Sequence, residues 1–535
     1  MNNKFDIIII GAGLAGLTAG ATLTKAGKKV LVLEQHNIVG GCATVFKRKN
    51  VKFDVGLHEI EMPEKKLSVK YPIFKRLGIW DRINVIPLPE LWKIKSEKYE
   101  IVIPEGQDNI IKVLEKEFPD EKKGIRKYFK SINKVLKASK RTPYDMNFLE
   151  FLLYPITAFP THLYDKIKQH TTGEMLDSMI KSDKLKRILD INLGYYHDNP
   201  YEFSWFYHSY AQSAYYNTSA YIKGGGQSLS DALADVILEN NGEIKVNCDV
   251  GKILVDNNKA IGVEYYDKKS KENIQVLADK VISNSAPYNV YNQLLPKGFE
   301  DKKISNLKNS VSCCSLYIIF KKKFSTVYKG GTYSTMITSE EMMNAPFKDK
   351  AKSVKSIPIE NRNISFIDYS IVDSGLTEEG DDRSFGVATF SSYLDEWDHL
   401  STEEYKEKKK LITENILNRL DKHFPNIKDN IEYCEFSTPK TIKRYIKTPE
   451  GTAYGFKQND YLNGGRVGFS SPTVKNLYFC GAWGFPGGGF TAVISNGYML
   501  ARHILFPLPL YMVGRILISI GVSAGVIALL LKLFI

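Results

Sequence analysis

The first 34 residues constrain the fold more than any other part of the sequence. Phe5–Ile10 contains an unbroken run of isoleucines, typical of a strand covered on both faces within a parallel sheet. A glycine-rich turn, Gly11–Gly16, leads into a helical pattern from Leu14 to about Ala26, and Val30–Leu33 predicts a second buried strand. The segment therefore predicts one βαβ unit and a doubly wound α/β domain.

The glycines of this turn and one acidic residue have a spacing that suits a particular ligand. Gly11 allows a tight turn, Gly13 lets the backbone approach a pyrophosphate, and Gly16 lets the helix pack closely on the strand. The helix N-terminus stabilises phosphate charge. Glu34 ends the second strand, 18 residues after Gly16, where a carboxylate can accept hydrogen bonds from the ribose hydroxyls of an adenosine. The pattern predicts a dinucleotide site, with a purely structural turn as the alternative.

FAD and NAD share this pattern, and two further segments favour FAD. The pair Gly40-Gly41 follows Glu34 closely and would let the backbone run beside an extended flavin nucleotide, although an ordinary loop also explains it. Near the other end of the chain, the predicted strand Asn476–Cys480 leads through the glycine-rich segment Gly481–Ala492 into a helix. Backbone amides there can contact the ribityl chain and the flavin ring. Two widely separated cofactor segments indicate FAD.

The remaining sequence predicts a discontinuous arrangement of domains. From about Pro72 to Ile222 the sequence becomes helical in patches and rich in aromatic residues, including the runs Phe148–Phe159 and Tyr195–Tyr216. A charged helix is predicted at Thr402–Lys422. We expect an FAD-binding domain built from residues 1–70, 220–300 and 440–505, an α+β substrate domain from 71–219 and 301–439, and a C-terminal hydrophobic helix at 508–535.

The sequence resembles the retinol saturase family over about residues 1–505. The resemblance rests on Val30–His36 with Gly40-Gly41-Cys42, Phe53–His58, Tyr221–Gly226, Thr448–Gly451 and Asn476–Tyr478 with Gly487–Gly489. That family belongs with carotenoid isomerases and bacterial phytoene desaturases, and the resemblance implies a backbone contact from Val250 to the adenine of FAD. The predicted cofactor-binding residues are Gly11, Gly13, Leu14, Ala15, Gly16, Glu34, Gln35, Gly40, Gly41, Val250, Gly481, Gly488, Gly489, Phe490 and Thr491.

The resemblance implies an FAD-dependent oxidoreductase that acts on carbon–carbon double bonds of a lipophilic polyene, such as a retinoid or a carotenoid. Saturation, desaturation and isomerisation all remain open, because Ala43 replaces a cysteine that retinol saturases tend to carry. NAD(P)H is a candidate reductant. His58 is the candidate catalytic residue, with a structural role as its alternative, whereas His197 and His208 are predicted to be packing residues. A flavin amine oxidase and a non-enzymatic isoprenoid carrier of the same fold are the alternative functions.

The cysteines and the charge indicate where the protein works. The six cysteines show no metal-binding spacing, so we expect no metal site and free thiols in a reducing, cytosolic-type compartment. The formal net charge of +13 is spread in short clusters, which predicts a solvated surface that an anionic membrane would attract. No nucleic-acid-binding module accompanies this charge, so we expect no nucleic-acid partner.

The C-terminal segment predicts attachment to a membrane. Ile504–Ile535 carries only two formal charges, Arg515 and Lys532, and its uncharged run Ile516–Leu531 has 16 residues. This length is slightly short for a spanning helix, which needs about 20 residues. A short span is predicted, with an interfacial helix or a helix folded against the protein as alternatives. We expect the body to lie on the cytoplasmic side, and a Gly-x-x-x-Gly motif at 521–525 could pair two tails into a homodimer.

Overall fold

The predicted βαβ unit lies at the centre of a mixed seven-stranded sheet in the computed structural model, which describes residues 4–61, 70–139, 170–350, 353–459 and 466–506. The strand order is β10-β11-β12-β1-β2-β9, and β18 pairs with β12 beside this path. The strands are β1 (Phe5–Ile10), β2 (Val30–Leu33), β9 (Glu243–Lys245), β10 (Cys248–Asp256), β11 (Lys259–Asp267), β12 (Glu272–Ser283) and β18 (Leu477–Phe479).

The register of this sheet brings three strand ends to one edge. β1 runs parallel to β2 and to the second half of β12, with Ile10 opposite Leu33 on one side and Ser283 on the other. The first half of β12 instead pairs antiparallel with β11. The residues that follow the three parallel strands, Gly11, Glu34 and Asn284, therefore emerge side by side. In open α/β sheets this edge is where ligands bind.

Helix α1 packs against the first sheet and is crossed by helices α8 and α11. The principal helices described are α1 (Leu14–Lys25), α2 (Lys70–Leu77), α3 (Gln107–Glu117), α4 (Lys122–Ser139), α5 (Thr172–Met179), α6 (Asp183–Leu189), α7 (Trp205–Asn217), α8 (Gly226–Glu239), α9 (Thr402–His423), α10 (Pro439–Ile446) and α11 (Phe490–Leu505), with shorter helical turns between them. Every residue of α1 from Leu14 to Thr24 is buried. The crossings with α8 and α11 are close because Gly20 faces Ile237 and Gly497 faces the Ala15 carbonyl.

A second seven-stranded sheet provides the other large surface of the fold. Its order is β17-β13-β16-β15-β14-β6-β7, and only the β14–β6 pairing is parallel. Helix α9 confirms the predicted charged helix and packs on this sheet through Ile412, Ile416 and Leu420. The strands are β6 (Trp92–Lys95), β7 (Glu100–Ile103), β13 (Ser312–Phe320), β14 (Ser334–Ile337), β15 (Ile364–Asp368), β16 (Ser384–Ser392) and β17 (Ile431–Ser437).

The segment predicted to be helical contains strands that the sequence analysis did not identify. The hairpin β6–β7 joins the second sheet, and β5 (Val85–Pro87) pairs with β8 (Ala220–Ile222). Outside that segment, a further hairpin is formed by β3 (Val45–Arg48) and β4 (Val51–Asp54). The aromatic run around α7 is core: Trp205 is fully buried, and the Nε2 atom of His208 lies 2.9 Å from the Tyr128 hydroxyl. The other aromatic run, 148–159, lies outside the described residues.

The predicted C-terminal membrane helix at 508–535 also lies outside the described residues. Among the helices that the structure does describe, none combines the length and the apolar character needed to cross a bilayer. Helix α11 ends at Leu505, and the side chain of the next residue, Phe506, is 61% exposed. The chain therefore leaves the last described helix at the protein surface.

The α1–α11 crossing yields a prediction about stability. A Cβ atom on Gly497 would collide with the carbonyl oxygen and Cα of Ala15, so Gly497→Ala should force the helices apart. We expect a loss of about 1–3 kcal/mol in the free energy of unfolding, as for other overpacked sites. Gly251→Ala is the matched control, because a Cβ there meets no atom within 4 Å. Equal thermal denaturation midpoints for the two variants would contradict this account of the crossing.

Candidate functional site

A cavity of about 600 Å³ opens at the edge where the three strand ends meet, and it extends to the second sheet. Its wall on the first sheet includes Glu34, Val250 and Asn284. Its far wall carries side chains of the second sheet, some apolar, such as Ile364 on β15 and Phe390 on β16, and some with hydroxyl groups, such as Ser365 and Thr389. The cavity therefore connects a glycine-rich end with a wall of mixed apolar and hydroxyl side chains.

Most of the residues predicted for the site line this cavity. The predicted residues in its wall are Gly11, Gly13, Leu14, Ala15, Glu34, Gln35, Gly40, Gly41, His58, Val250, Gly481, Gly489, Phe490 and Thr491. Two predicted residues lie elsewhere. Gly16 packs on the carbonyl of Gly11, which fits its expected role in helix packing, and a Cβ on Gly488 would stand 2.6 Å from the Tyr454 Cα.

Two helices begin at the cavity without a side-chain cap. Helix α1 follows Gly13 and helix α11 follows Gly489, and in neither case does a described side chain accept a hydrogen bond from the first backbone amides. Uncapped N-terminal amides attract anions and carbonyl oxygens. The first residues of both helices lie in the cavity wall. The two N-termini thus give the cavity two groups of amide donors, which suits a phosphate-containing ligand.

The Glu34 side chain makes hydrogen bonds with the backbone that the sequence did not indicate. The side chain is 5% exposed, and its two carboxylate oxygens accept hydrogen bonds from the amides of Ala12 (2.8 Å) and His36 (2.9 Å). These bonds hold the glycine turn against the end of β2. Each carboxylate oxygen has a second lone pair, so Glu34 can still accept a bond from a ribose hydroxyl.

Asn284 is a site residue that the sequence analysis missed. Its Nδ2 atom donates to the Gly11 carbonyl at 3.4 Å, and a Cβ on Gly13 would stand only 2.8 Å from the same Nδ2. Its Oδ1 atom would lie 2.6 Å from a Cβ on Gly481. Asn284 therefore sits between the N-terminal and the C-terminal glycine segments. A polar residue directly after a parallel strand was the available signal.

Helix α10 covers the outer end of the cavity near Glu34. Gln35 donates a hydrogen bond from Nε2 to the Tyr445 carbonyl at 3.1 Å, and His36 contacts the same carbonyl. Just beyond the helix, the ammonium of Lys447 lies 2.9 Å from the carboxylate of Asp249 on β10. No motif marked this helix in the sequence, because its role depends on these long-range contacts.

Asp54 holds together the turn that carries His58. Its Oδ1 atom accepts hydrogen bonds from the amides of Gly56 (3.2 Å) and Leu57 (3.0 Å), and its Oδ2 atom accepts from the Gly226 amide and the Tyr221 hydroxyl. Burial raises the pKa of Asp54 to about 6, although these hydrogen bonds oppose the shift. The hydrogen bonds that Asp54 accepts therefore explain the Phe53–Gly56 motif, because they stabilise this turn.

The hydrogen bonds of His58 define its tautomer. The Tyr369 hydroxyl donates its single proton to the Leu57 carbonyl at 3.0 Å. His58 Nδ1, 3.0 Å from that hydroxyl, must then donate to it, which leaves Nε2 as an acceptor. Burial lowers the pKa of His58 to about 4, so the ring is neutral near pH 7. His58 can orient a donor group, and its catalytic role stays a prediction.

A comparison with protein families identifies the family of this chain. Residues 14–505 match the family described as flavin containing amine oxidoreductase. The chain belongs to this family. It is therefore a flavoprotein oxidoreductase, and the resemblance inferred from the sequence motifs is confirmed.

Two similar proteins indicate which branch of this oxidoreductase family the chain resembles. An all-trans-retinol 13,14-reductase of Danio rerio is 29% identical over 93% of this chain and 86% of the relative. A chloroplastic prolycopene isomerase of Daucus carota is 25% identical over 94% of this chain and 80% of the relative.

Solved structures support the fold of the oxidoreductase. A putrescine oxidase bound to putrescine aligns with a TM-score of 0.60 at 15% identity, covering 94% of this chain and all of the other. An oxidoreductase from Methanosarcina mazei aligns with a TM-score of 0.56 at 18% identity, covering 93% of this chain and 99% of the other. At this level of identity the likeness shows a shared α/β fold.

The residues of the cavity fit the flavin cofactor that the family carries. Gly11, Gly13, Gly41 and Gly489 lie in the cavity wall without a side chain, so a ligand could approach the backbone there. The two uncapped helix N-termini would supply donors for the pyrophosphate and for the ring, and Glu34 would supply an acceptor for the ribose. When bound, a flavin exchanges a hydride with substrate at its N5 atom.

The Gly13 position yields a prediction about cofactor content. Gly13→Val would place a side chain against Asn284 and in the path assigned to the pyrophosphate. We expect folded protein that has lost flavin absorbance, as measured by visible spectroscopy and circular dichroism. Gly251→Val, at an open position on β10, should keep its flavin. A flavin-loaded Gly13→Val variant would show that the pyrophosphate lies elsewhere.

The Glu34 carboxylate yields a second prediction. In Glu34→Gln one of the two accepting oxygens becomes an amide nitrogen, so either Ala12 or His36 loses its acceptor. We expect FAD binding to weaken by about 1–3 kcal/mol, measured in a flavin-exchange titration. Glu243→Gln, exposed on β9, is the control and should bind FAD like the wild type. Unchanged affinity in Glu34→Gln would remove Glu34 from the cofactor site.

Proposed function

We propose that the protein is an FAD-dependent enzyme that changes carbon–carbon double bonds of a lipophilic polyene such as a retinoid or a carotenoid. The observation that carries this proposal is the continuity of the glycine-rich end of the cavity with a region that contains several apolar side chains. These are Ile191, Leu193, Met336, Met343, Ile364 and Phe390. The relatives named above act on a retinol and on a prolycopene, and both align with more than nine-tenths of this chain.

The predicted cofactor residues divide the proposed FAD site into parts. The pyrophosphate would lie at Gly11 and Gly13 against the start of α1, and the ribose and adenine would lie at Glu34 and Val250. The flavin ring would lie at Gly481–Thr491. This assignment requires the FAD-binding domain of segments 1–70, 220–300 and 440–505, with the substrate domain of 71–219 and 301–439 opposite it. Support comes from the cavity, whose wall contains residues of all five segments.

The products identify the reaction. With purified, FAD-loaded protein, supplied in one assay with a reductant (reduced flavin or NAD(P)H) and in a second with an electron acceptor such as a quinone, we expect turnover of all-trans-retinol or of a poly-cis carotenoid. A gain of two mass units identifies saturation and a loss of two identifies desaturation, whereas an unchanged mass with a shifted absorption spectrum identifies isomerisation. Putrescine is the control substrate. Oxidation of putrescine without any change to a polyene would contradict the proposal and would favour an amine oxidase.

We also propose that residues 508–535 attach the enzyme to a membrane, with the body on the cytoplasmic side. Polyenes of this type hardly dissolve in water, so an enzyme that acts on them benefits from a position at the bilayer. Arg502 lies in the last turn of α11, and Arg515 lies within the apolar segment. Each can add about 1 kcal/mol on an anionic surface. The glycines at 521 and 525 could pair two such tails in a homodimer.

Truncation after Phe506 tests the anchor. We expect the truncated protein to remain in the soluble fraction and to keep its flavin, because Phe506 is exposed where the described chain ends. It should act on a polyene in detergent micelles but lose most of its activity on a polyene embedded in lipid vesicles. Truncated protein that sediments with membranes as fully as the intact chain would contradict membrane attachment through the tail.

A further inference from the structure

Glu59 is a buried carboxyl group in the wall of the cavity, one residue after His58. Its side chain is 9% exposed. The Oε2 atom accepts a hydrogen bond from the Ser219 hydroxyl at 3.2 Å, whereas Oε1 has no hydrogen-bond partner among the described residues. A buried oxygen without a donor is costly for a carboxylate, and much less so for a neutral carboxylic acid. The surroundings of Glu59 therefore favour its protonated form.

The charged neighbours do not offset this preference. Glu59 forms no ion pair with any residue that the structure describes. The ammonium of Lys70 lies 2.7 Å from a carboxylate oxygen of the neighbouring acid Glu61. Burial raises the pKa of Glu59 to about 8, partly opposed by the bond from Ser219. The titratable groups that face Glu59 or adjoin it along the chain are Tyr195, Tyr196, Tyr215, Tyr333, His58 and Glu61.

Cys42, Cys313, Tyr195 and His58, which share this wall, are weaker proton donors near pH 7. Burial raises the pKa of Cys42 to about 11 and that of Cys313 to about 12, and it raises the pKa of Tyr195 further still. His58 is neutral, and its one ring proton is held by Tyr369. Burial also raises the pKa of Asp190, but the charged neighbour of Asp190 is Arg187 on α6 rather than the turn that carries His58.

We propose that Glu59 is the proton donor for the carbon–carbon double bond in this cavity. This inference rests on the proposed function. Saturation of one double bond adds a hydride to one carbon and a proton to the other. A reduced flavin bound in the cavity would supply the hydride with its electron pair, and the carboxyl O–H of Glu59 would supply the proton. Glu59 is left as a carboxylate and is reprotonated from water, so each turnover consumes one hydride and one solvent proton.

Replacement of the carboxyl group tests the inference. Glu59→Gln keeps the shape of the side chain but has no acidic proton, so we expect folded, FAD-loaded protein whose saturation rate is about 10²–10⁴-fold lower. The wild-type rate should fall as the pH rises through about 8, and this alkaline limb should disappear in Glu59→Gln. Asp190→Asn, which alters another buried carboxyl in the same wall, should retain the limb.

A Ser219 variant should shift the alkaline limb of the pH–rate profile while keeping the carboxyl group of Glu59. The bond from its hydroxyl stabilises the carboxylate form, so Ser219→Ala should raise the pKa of Glu59 and move the alkaline limb to higher pH. A Glu59→Gln variant with the wild-type rate and limb would overturn the role of Glu59 while leaving the proposed function intact. Failure of the wild type to change any polyene would overturn the proposed function, and this inference with it.

A thermal measurement tests the proton on Glu59 without turnover. In the unfolded chain Glu59 ionises near pH 4.5, whereas in the folded chain it keeps its proton to about pH 8. The folded state binds more protons in this window, so Glu59 lowers stability as the pH rises from about 4.5 to 8. The denaturation midpoint of the wild type should therefore fall relative to that of Glu59→Gln as the pH rises across this window. Above the window, the difference between the two midpoints should be constant. A constant difference would show that Glu59 is ionised when folded, and would overturn the inference.

Discussion

The arrangement of the site depends on the parallel pairing of β1 with β2 and β12. Because Ile10 lies opposite Leu33 and Ser283, the chain leaves three adjacent strands at the same height. The glycine turn, Glu34 and Asn284 then contact one another through the Glu34–Ala12 and Asn284–Gly11 hydrogen bonds. A shift of one residue in either pairing would separate these groups. The close crossings of α8 and α11 over α1 hold the helix N-termini in place around them.

Burial acts differently at the two ends of the cavity. At the glycine-rich end, the buried acid Glu34 has both oxygens bonded to backbone amides. At the end near the second sheet, Glu59 has one bonded oxygen and one without a partner in the described chain. The same side-chain type therefore has a fully bonded acceptor role in one place and, as proposed above, a proton-donor role in the other. The two acids are similarly buried and differ in the hydrogen-bond donors around them.

The sequence predicted those parts of the structure that depend on neighbouring residues. β1, α1, β2 and α9 appear within a few residues of their predicted bounds, because apolar periodicity and glycine stops are local signals. Asn284 and helix α10 escaped notice because their roles arise from contacts with residues far away in the chain. Nothing in the sequence distinguishes Glu59, because the Ser219 and tyrosine side chains that surround it come from distant parts of the chain. The hairpin β6–β7 was missed because its short strands lie within a segment that otherwise favours helix.

The pairing of β12 has a consequence for how the protein acquires its structure during synthesis. β1 leaves the ribosome early, yet one of its parallel partners begins only at Ala278, and the last strand of the sheet begins at Leu477. Contacts so distant in sequence form slowly, since a long loop must close before they contribute. An isoleucine-rich strand therefore stays unpaired on one side during synthesis, which exposes the nascent chain to aggregation. The glycine segments of the cavity come together only after the residues of α11 have been synthesised, so a ligand that needs both segments could bind only late in folding.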